Sequence, residues 1–190
     1  LKRDNDSRLN IYFLGSGTSD IVGVSPGDSI QSASMLNITG HFGMQWEPEF
    51  VSWYENSFIQ AECYYKLGNE NNALAKLNET LSGIEQLWQG RGFSNASIPR
   101  YENLSGEALF EAIMNEKYKA LFLNMQSWSD WRRTGYPIFV DSDSNSTECG
   151  GTNEGIGVPR RLLYPEKEKS SNPNCPRNDD IYDRLENDPS

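Results

Sequence analysis

A single histidine, His41, stands in the 190 residues. No H-E-x-x-H pair, serine nucleophile elbow or phosphate-binding P-loop can be drawn through the chain. Cysteine is nearly as scarce: Cys63, Cys149 and Cys175 are too far apart for any C-x-x-C pair. Zinc is therefore left without a ligand set, and no cofactor or metal is expected. Positive charge is short too, with 17 Lys and Arg against 27 Asp and Glu, a net charge of −10. An acidic surface does not neutralise phosphates, which argues against nucleic acid and against an electrostatic grip on anionic lipid. No apolar run approaches the roughly 20 residues that cross a bilayer as a helix. The chain opens on Leu1 with no signal peptide after it. It reads as a fragment, with any export signal or lipid-bearing cysteine expected upstream.

What is present is a moderately apolar chain, 36% hydrophobic, in which aromatics reach 12%. That ring content opposes wholesale disorder and suits either a core or a binding face built from rings. Residues 1–47 read as irregular, punctuated by glycines, with Leu9, Ile11 and Phe13 alternating as in a short strand. Residues 48–67 carry Phe50, Tyr54, Phe58, Ala61 and Tyr65 at helical spacing, with Pro48 suited to the first turn and Gly68 to the stop. Residues 70–89 repeat the pattern through Ala73, Leu77, Leu81, Ile84 and Trp88. A connection as short as Gly68-Asn69 forces two such helices to pack antiparallel, as in a tetratricopeptide unit. One such unit cannot bury its outer face alone. A third helix is predicted over 105–126, with Ser105 as N-cap and Leu109, Ile113, Glu116, Ala120 and Leu123 along one stripe. Residues 136–190 form a loop-rich tail: a low-complexity loop at 141–157, an extended run at 158–165 and a polar end from Pro173. The predicted fold is mostly α: tetratricopeptide-like helical pairs with long irregular loops.

Several constellations have a bland reading that outweighs the sharp one. Asp141, Asp143 and Asn145 open like a calcium loop, but Ser146 and Thr152 stand where its glycine and closing glutamate belong. Asn-x-Ser/Thr triplets start at Asn5, Asn37, Asn78, Asn95, Asn103 and Asn145, as chance provides in a chain rich in Asn and Ser. Cys63 falls in a helical pattern and is expected as a buried thiol. Cys149 and Cys175 lie in polar sequence, where sequence alone does not decide whether they are bridged. Trp53, Trp88, Trp128 and Trp131 are expected in the core. Trp46 follows a glycine-rich stretch and is the tryptophan best placed for exposure, so His41, Phe42 and Trp46 are the predicted ligand contacts. Arg132, Arg133, Arg160 and Arg161 suit bidentate pairing with carboxylates, Glu62, Glu111 and Glu116 among them. With Glu62 and Ala120, these arginines are predicted to be structural.

The strings themselves resemble one family. NEKYKALFLNMQSWSDWRRTGYP at 115–137 is similar to the late helix of SusD/RagB-like proteins, and VPRRLLYPEKEKSSNP at 158–173 to a later element of the same proteins. YENSFIQAECYYKLG at 54–68 resembles their repeat helix, with Ala61-Glu62 as the matching pair. DSRLNIYF at 6–13 and VGVSPGD at 22–28 look like two further segments, although Ser7 stands where the family has proline. The blocks fall in the family's order. The resemblance implies the C-terminal part of a cell-surface lipoprotein of the bacterial outer membrane, anchored by an upstream lipid. It implies a non-enzymatic protein that binds a nutrient oligomer, an oligosaccharide above all, for a TonB-dependent, SusC-like barrel. The rival expectations are a glycan-active enzyme's accessory domain and a helical-repeat adaptor.

Overall fold

The computed structural model describes residues 1, 4–15, 20–23, 33–44, 49–138 and 164–175. The chain forms two compact units, Leu1–Val24 with Ser29–Pro137, and Ser25–Asp28 with Ile138–Ser190. Helix dominates the described residues, against a single two-stranded pairing.

In the first unit, α1 (Arg8–Tyr12) leads into β1 (Phe13–Leu14), which pairs antiparallel with β2 (Met35–Leu36). The alternation of Leu9, Ile11 and Phe13 had predicted a strand, but Leu9 and Ile11 are helical and only Phe13 is extended. Burial explains the difference. A helical turn places Arg8, Ile11 and Tyr12 together in the interior, where Arg8 meets its carboxylate partners.

The helical pair follows as α2 (Trp53–Lys66) and α3 (Glu70–Gly90). α2 starts five residues later than the apolar spacing suggests. Ser52, in an extended conformation, accepts a hydrogen bond from the Glu55 N–H at 3.1 Å and caps the helix there. Phe50 is consequently outside the helix and 94% exposed, and Pro48 lies outside the described residues. Gly68, at φ 75°, makes the left-handed turn in the three-residue connection from Leu67 to Asn69. Asn69 then caps α3 by accepting from the Asn72 N–H.

α4 (Gly106–Ala120) lies across the pair and brings Leu109, Phe110, Ile113 and Met114 into one core with Phe58, Ala61, Leu77, Leu81 and Trp88. The third helix was expected to run to 126, but it breaks at Leu121. Asn124 accepts from the Gln126 N–H at 2.9 Å and starts a separate helix, α5 (Gln126–Thr134), which Gly135 closes at φ 78°.

Several core expectations change. Trp88 and Trp131 are buried, Trp128 is half-buried, and Trp53 is 47% exposed with its ring lying against Gly83 of α3. Cys63 is exposed, not buried, because it lies off the stripe of Phe58, Ala61 and Glu62 that α2 buries. In the second unit, the described residues hold a short helix that sequence periodicity did not reveal, α6 (Glu166–Ser171), and a buried Cys175. Cys149, the calcium-like loop at 141–157 and most of the extended run at 158–165 lie outside the described residues.

Candidate functional site

An open cleft of about 560 Å³ lies in the first unit. Tyr12 and Trp88 form its floor, with His41 beside them. One wall is Glu49–Val51 with the exposed side of α2, from which Tyr54, Asn56 and Ile59 reach in. The other is the end of α4 and the turn into α5, Ala120 to Gln126. A volume of this size suits a small or oligomeric ligand.

The rings around it form one connected group. Tyr12 stacks on Phe122 at 4.9 Å between centroids, and Trp88 meets Tyr12 edge-on at 6.0 Å. His41 stands edge-on to Trp88 at 4.5 Å and 4.4 Å from Phe42. Tyr12 is fixed further by donating its hydroxyl to the Lys119 carbonyl at 3.1 Å. Such offset and edge contacts add to what burial alone contributes and make the floor rigid.

Charge sits at the rim. Arg91 pairs with Glu49 at 3.0 Å and lies over the Trp88 ring at 5.2 Å. Burial, helped by the positive charge of Arg91 and opposed by Glu49, pushes His41 down to about 4, so the ring is neutral at pH 7. Burial and the charge of Glu49 push the Tyr54 hydroxyl up to about 12, so it remains a protonated donor. Asn56, Asn124 and Gln126 add neutral amide groups. The cleft thus offers rings, aliphatic side chains, neutral amides and the charged groups of Glu49, Glu55 and Arg91, the means to hold a ligand. Among the described residues, no group of three or more His, Cys, Asp or Glu could hold a metal ion.

The predicted contacts fall unevenly on this geometry. His41 lines the cleft. Phe42 packs against Tyr12 and Phe122 within the ring group. Trp46 lies outside the described residues, as do Arg160 and Arg161. Ala120 is the last residue of α4 and lines the cleft. Arg133 holds both oxygens of Glu62 and one of Asp130, while Arg132 lies 4.8 Å over the Trp128 ring. Glu116 takes other partners: Arg8, Lys119 and the Tyr101 hydroxyl.

Sequence reasoning missed the Leu121–Gln126 wall and the floor formed by Tyr12. Asn124 was the available signal, since an Asn preceding a short apolar and polar run is a helix cap as readily as a helix interior residue.

Residues 89–180 match the SusD-like family model, described as Susd and RagB outer membrane lipoprotein. The match takes in α4, α5 and the α4–α5 wall of the cleft, and α6. No curated protein and no solved structure matches the chain.

Proposed function

Because residues 89–180 match the family model of SusD-like outer membrane lipoproteins, we propose that the chain is the C-terminal portion of a protein that binds a soluble nutrient oligomer without altering it. Proteins of this family are typically non-catalytic binders. The proposed ligand is a glycan. The proposed recipient is a TonB-dependent barrel in the same membrane, and the proposed anchor is a lipid upstream of this chain. No helix among the described residues is long and apolar enough to cross a membrane.

The cleft is the observation that carries this reading. Apolar faces of sugar rings settle on aromatic and aliphatic side chains, while Asn56, Asn124 and Gln126 can hydrogen-bond hydroxyls. His41, uncharged, adds a further hydrogen-bonding ring. Contacts of this kind are individually modest, so single-site affinity is expected between micromolar and millimolar, about −8 to −4 kcal/mol. Trp46 is proposed to extend the surface from the His41 loop, and Arg132, Arg133, Arg160 and Arg161 to serve as scaffold.

The test is calorimetry of the chain against a panel of soluble glycans and peptides, with product analysis of each mixture. Saturable binding to a glycan with no cleavage is the expected result. Cleaved products would overturn the non-enzymatic reading, and the absence of binding across the panel would overturn the ligand reading. Trp46→Ala is expected to weaken glycan binding while leaving the melting temperature nearly unchanged.

A further inference from the structure

Trp88 is the tryptophan of the cleft, yet it is only 5% exposed. Its indole N–H has no hydrogen-bond partner among the described residues. What lies on the ring is a cation from the same chain. The Arg91 guanidinium sits 5.2 Å from the ring centroid, and its Nη2 donates to a Glu49 carboxylate oxygen at 3.0 Å.

The two charged side chains reach this point from different elements. Arg91 ends α3, where its backbone N–H donates to the Leu87 carbonyl at 3.0 Å. Glu49 belongs to the wall that leads into α2, and its charge helps to keep the proton on the Tyr54 hydroxyl. His41, edge-on to Trp88, feels both charges, with Arg91 lowering its pKa and Glu49 raising it. Arg91 and Glu49 are 41% and 34% exposed. An ion pair so open to water contributes little and weakens with salt. A cation over a ring at an exposed site adds a similarly small amount. Neither helix depends on the pair, because backbone hydrogen bonds close α3 and Ser52 caps α2. The two charges can therefore part while the fold stays intact.

We propose that Arg91 and Glu49 form a latch across the floor of the cleft, an autoinhibitory contact in which the chain's own guanidinium covers the Trp88 face. Opening needs only rotation of the long Arg91 side chain into solvent, and it uncovers the ring. The latch itself needs no ligand, and its bearing on capture rests on the proposed role of the cleft as the ligand site. In that role the open fraction binds, and the apparent affinity is reduced by the fraction that is latched.

The test reads the exposure of Trp88 in the ligand-free chain. Its indole resonances, identified by their loss in Trp88→Phe, are broadened by a neutral gadolinium chelate in proportion to their exposure, and a thermal melt confirms folding. The expected result is weak broadening in the wild type at low salt and several-fold stronger broadening in Arg91→Ala. Glu49→Gln, which leaves both Arg91 and Trp88 in place, is expected to increase the broadening as well, and to add nothing in the Arg91→Ala background. Salt at about 1 M should move the wild type toward the variants. A Trp88 as protected in Arg91→Ala as in the wild type overturns the covering role of the guanidinium. Unchanged protection in Glu49→Gln, or an equal effect with and without Arg91, overturns the latch. Both side chains are partly exposed; should Arg91→Ala nonetheless fail to fold, Glu49→Gln and the salt series decide alone. For any panel glycan that binds, tighter binding to Arg91→Ala is expected, and weaker binding overturns the autoinhibitory role. The exposure measurement needs no nutrient, so failure of the latch is distinguishable from failure of the glycan reading.

Discussion

Arg133, near the end of α5, closes a bidentate ion pair on Glu62, in the middle of α2, across 71 residues of sequence. Its Nη2 also reaches Asp130 at 2.8 Å, and Asp130 in turn pairs with the buried Lys117 of α4. The hydrogen bonds to Glu62 outweigh burial and hold the guanidinium firmly protonated. α5 is short and buries only Trp131 deeply, so this pairing supplies much of what fixes it to α2.

Truncation measures that tie. Arg133 is half exposed, so solvent screens part of the attraction and the cost falls below that of a fully buried pair. Arg133→Ala is expected to cost about 1–2 kcal/mol in urea unfolding. A double-mutant cycle with Glu62→Gln should recover most of that as coupling. A coupling near zero would mean that the pair does not hold α5 in solution.

The pair formed by Arg8 differs in kind. Arg8 is fully buried with Asp6 and Glu116, and Lys119 links the same Glu116 to Asp4. Burial alone would raise the Asp6 carboxyl, but the hydrogen bonds and charge of Arg8 outweigh it and hold it below the ordinary range. Arg8→Ala leaves the buried Asp6 carboxylate without its partner, while Glu116 keeps Lys119 and Tyr101, and is expected to cost about 3–5 kcal/mol. The folded pKa of Asp6 is depressed, so its contribution is complete above the unfolded value, near 3.8, and is lost as pH falls through the folded one. Acid unfolding followed by circular dichroism should therefore steepen below about pH 4, and Asp6→Asn should flatten that limb. An identical acid limb in the variant would remove Asp6 from the account.

The helical pair was legible because its signals are local. Ala73, Leu77, Leu81, Ile84 and Trp88 recur at a period that no strand can satisfy, and Gly68 permits one way back. Phe50 was misread because apolar spacing continues past the point where Ser52 caps the helix; a hydroxyl hydrogen bond, and not periodicity, sets the start. The cleft was legible only at His41. Tyr12, Trp88 and Leu121–Gln126 converge from three distant stretches, and no sequence spacing encodes that meeting. Leu123, at φ 65°, is harder still, since a bulky apolar side chain gives no sign of a left-handed turn.

Gly83 records the closeness of α2 and α3. A Cβ there would fall 2.5 Å from the far edge of the Trp53 ring, a side chain with room to move because it is half exposed. Gly83→Ala gains helix propensity, about 1 kcal/mol, and displaces the ring. The expected outcome is a stability change within about 1 kcal/mol of zero, with Trp53 emission shifted to the red. The shift is read as the difference between Gly83→Ala made alone and made with Trp53→Phe. If the emission stays where it was, the ring does not lie on Gly83.

His41 offers the cleanest titration in the molecule, because it is the single histidine and its ring resonance needs no assignment. Burial and Arg91 lower it to about 4, against opposition from Glu49. The unfolded chain takes up this proton near 6.5 and the folded chain only near 4, so stability must fall as pH drops from 6.5 toward 4 and is unaffected above that window. Proton resonance titration should give a midpoint near 4 in the wild type. Arg91→Gln removes the facing positive charge and leaves Glu49 unopposed, so the midpoint should rise. In His41→Phe the slope of stability between pH 6.5 and 4 should diminish while the aromatic contacts to Trp88 and Phe42 persist. A wild-type midpoint close to 6.5 would show that the ring is solvated and that His41 does not sit in the wall of the cleft.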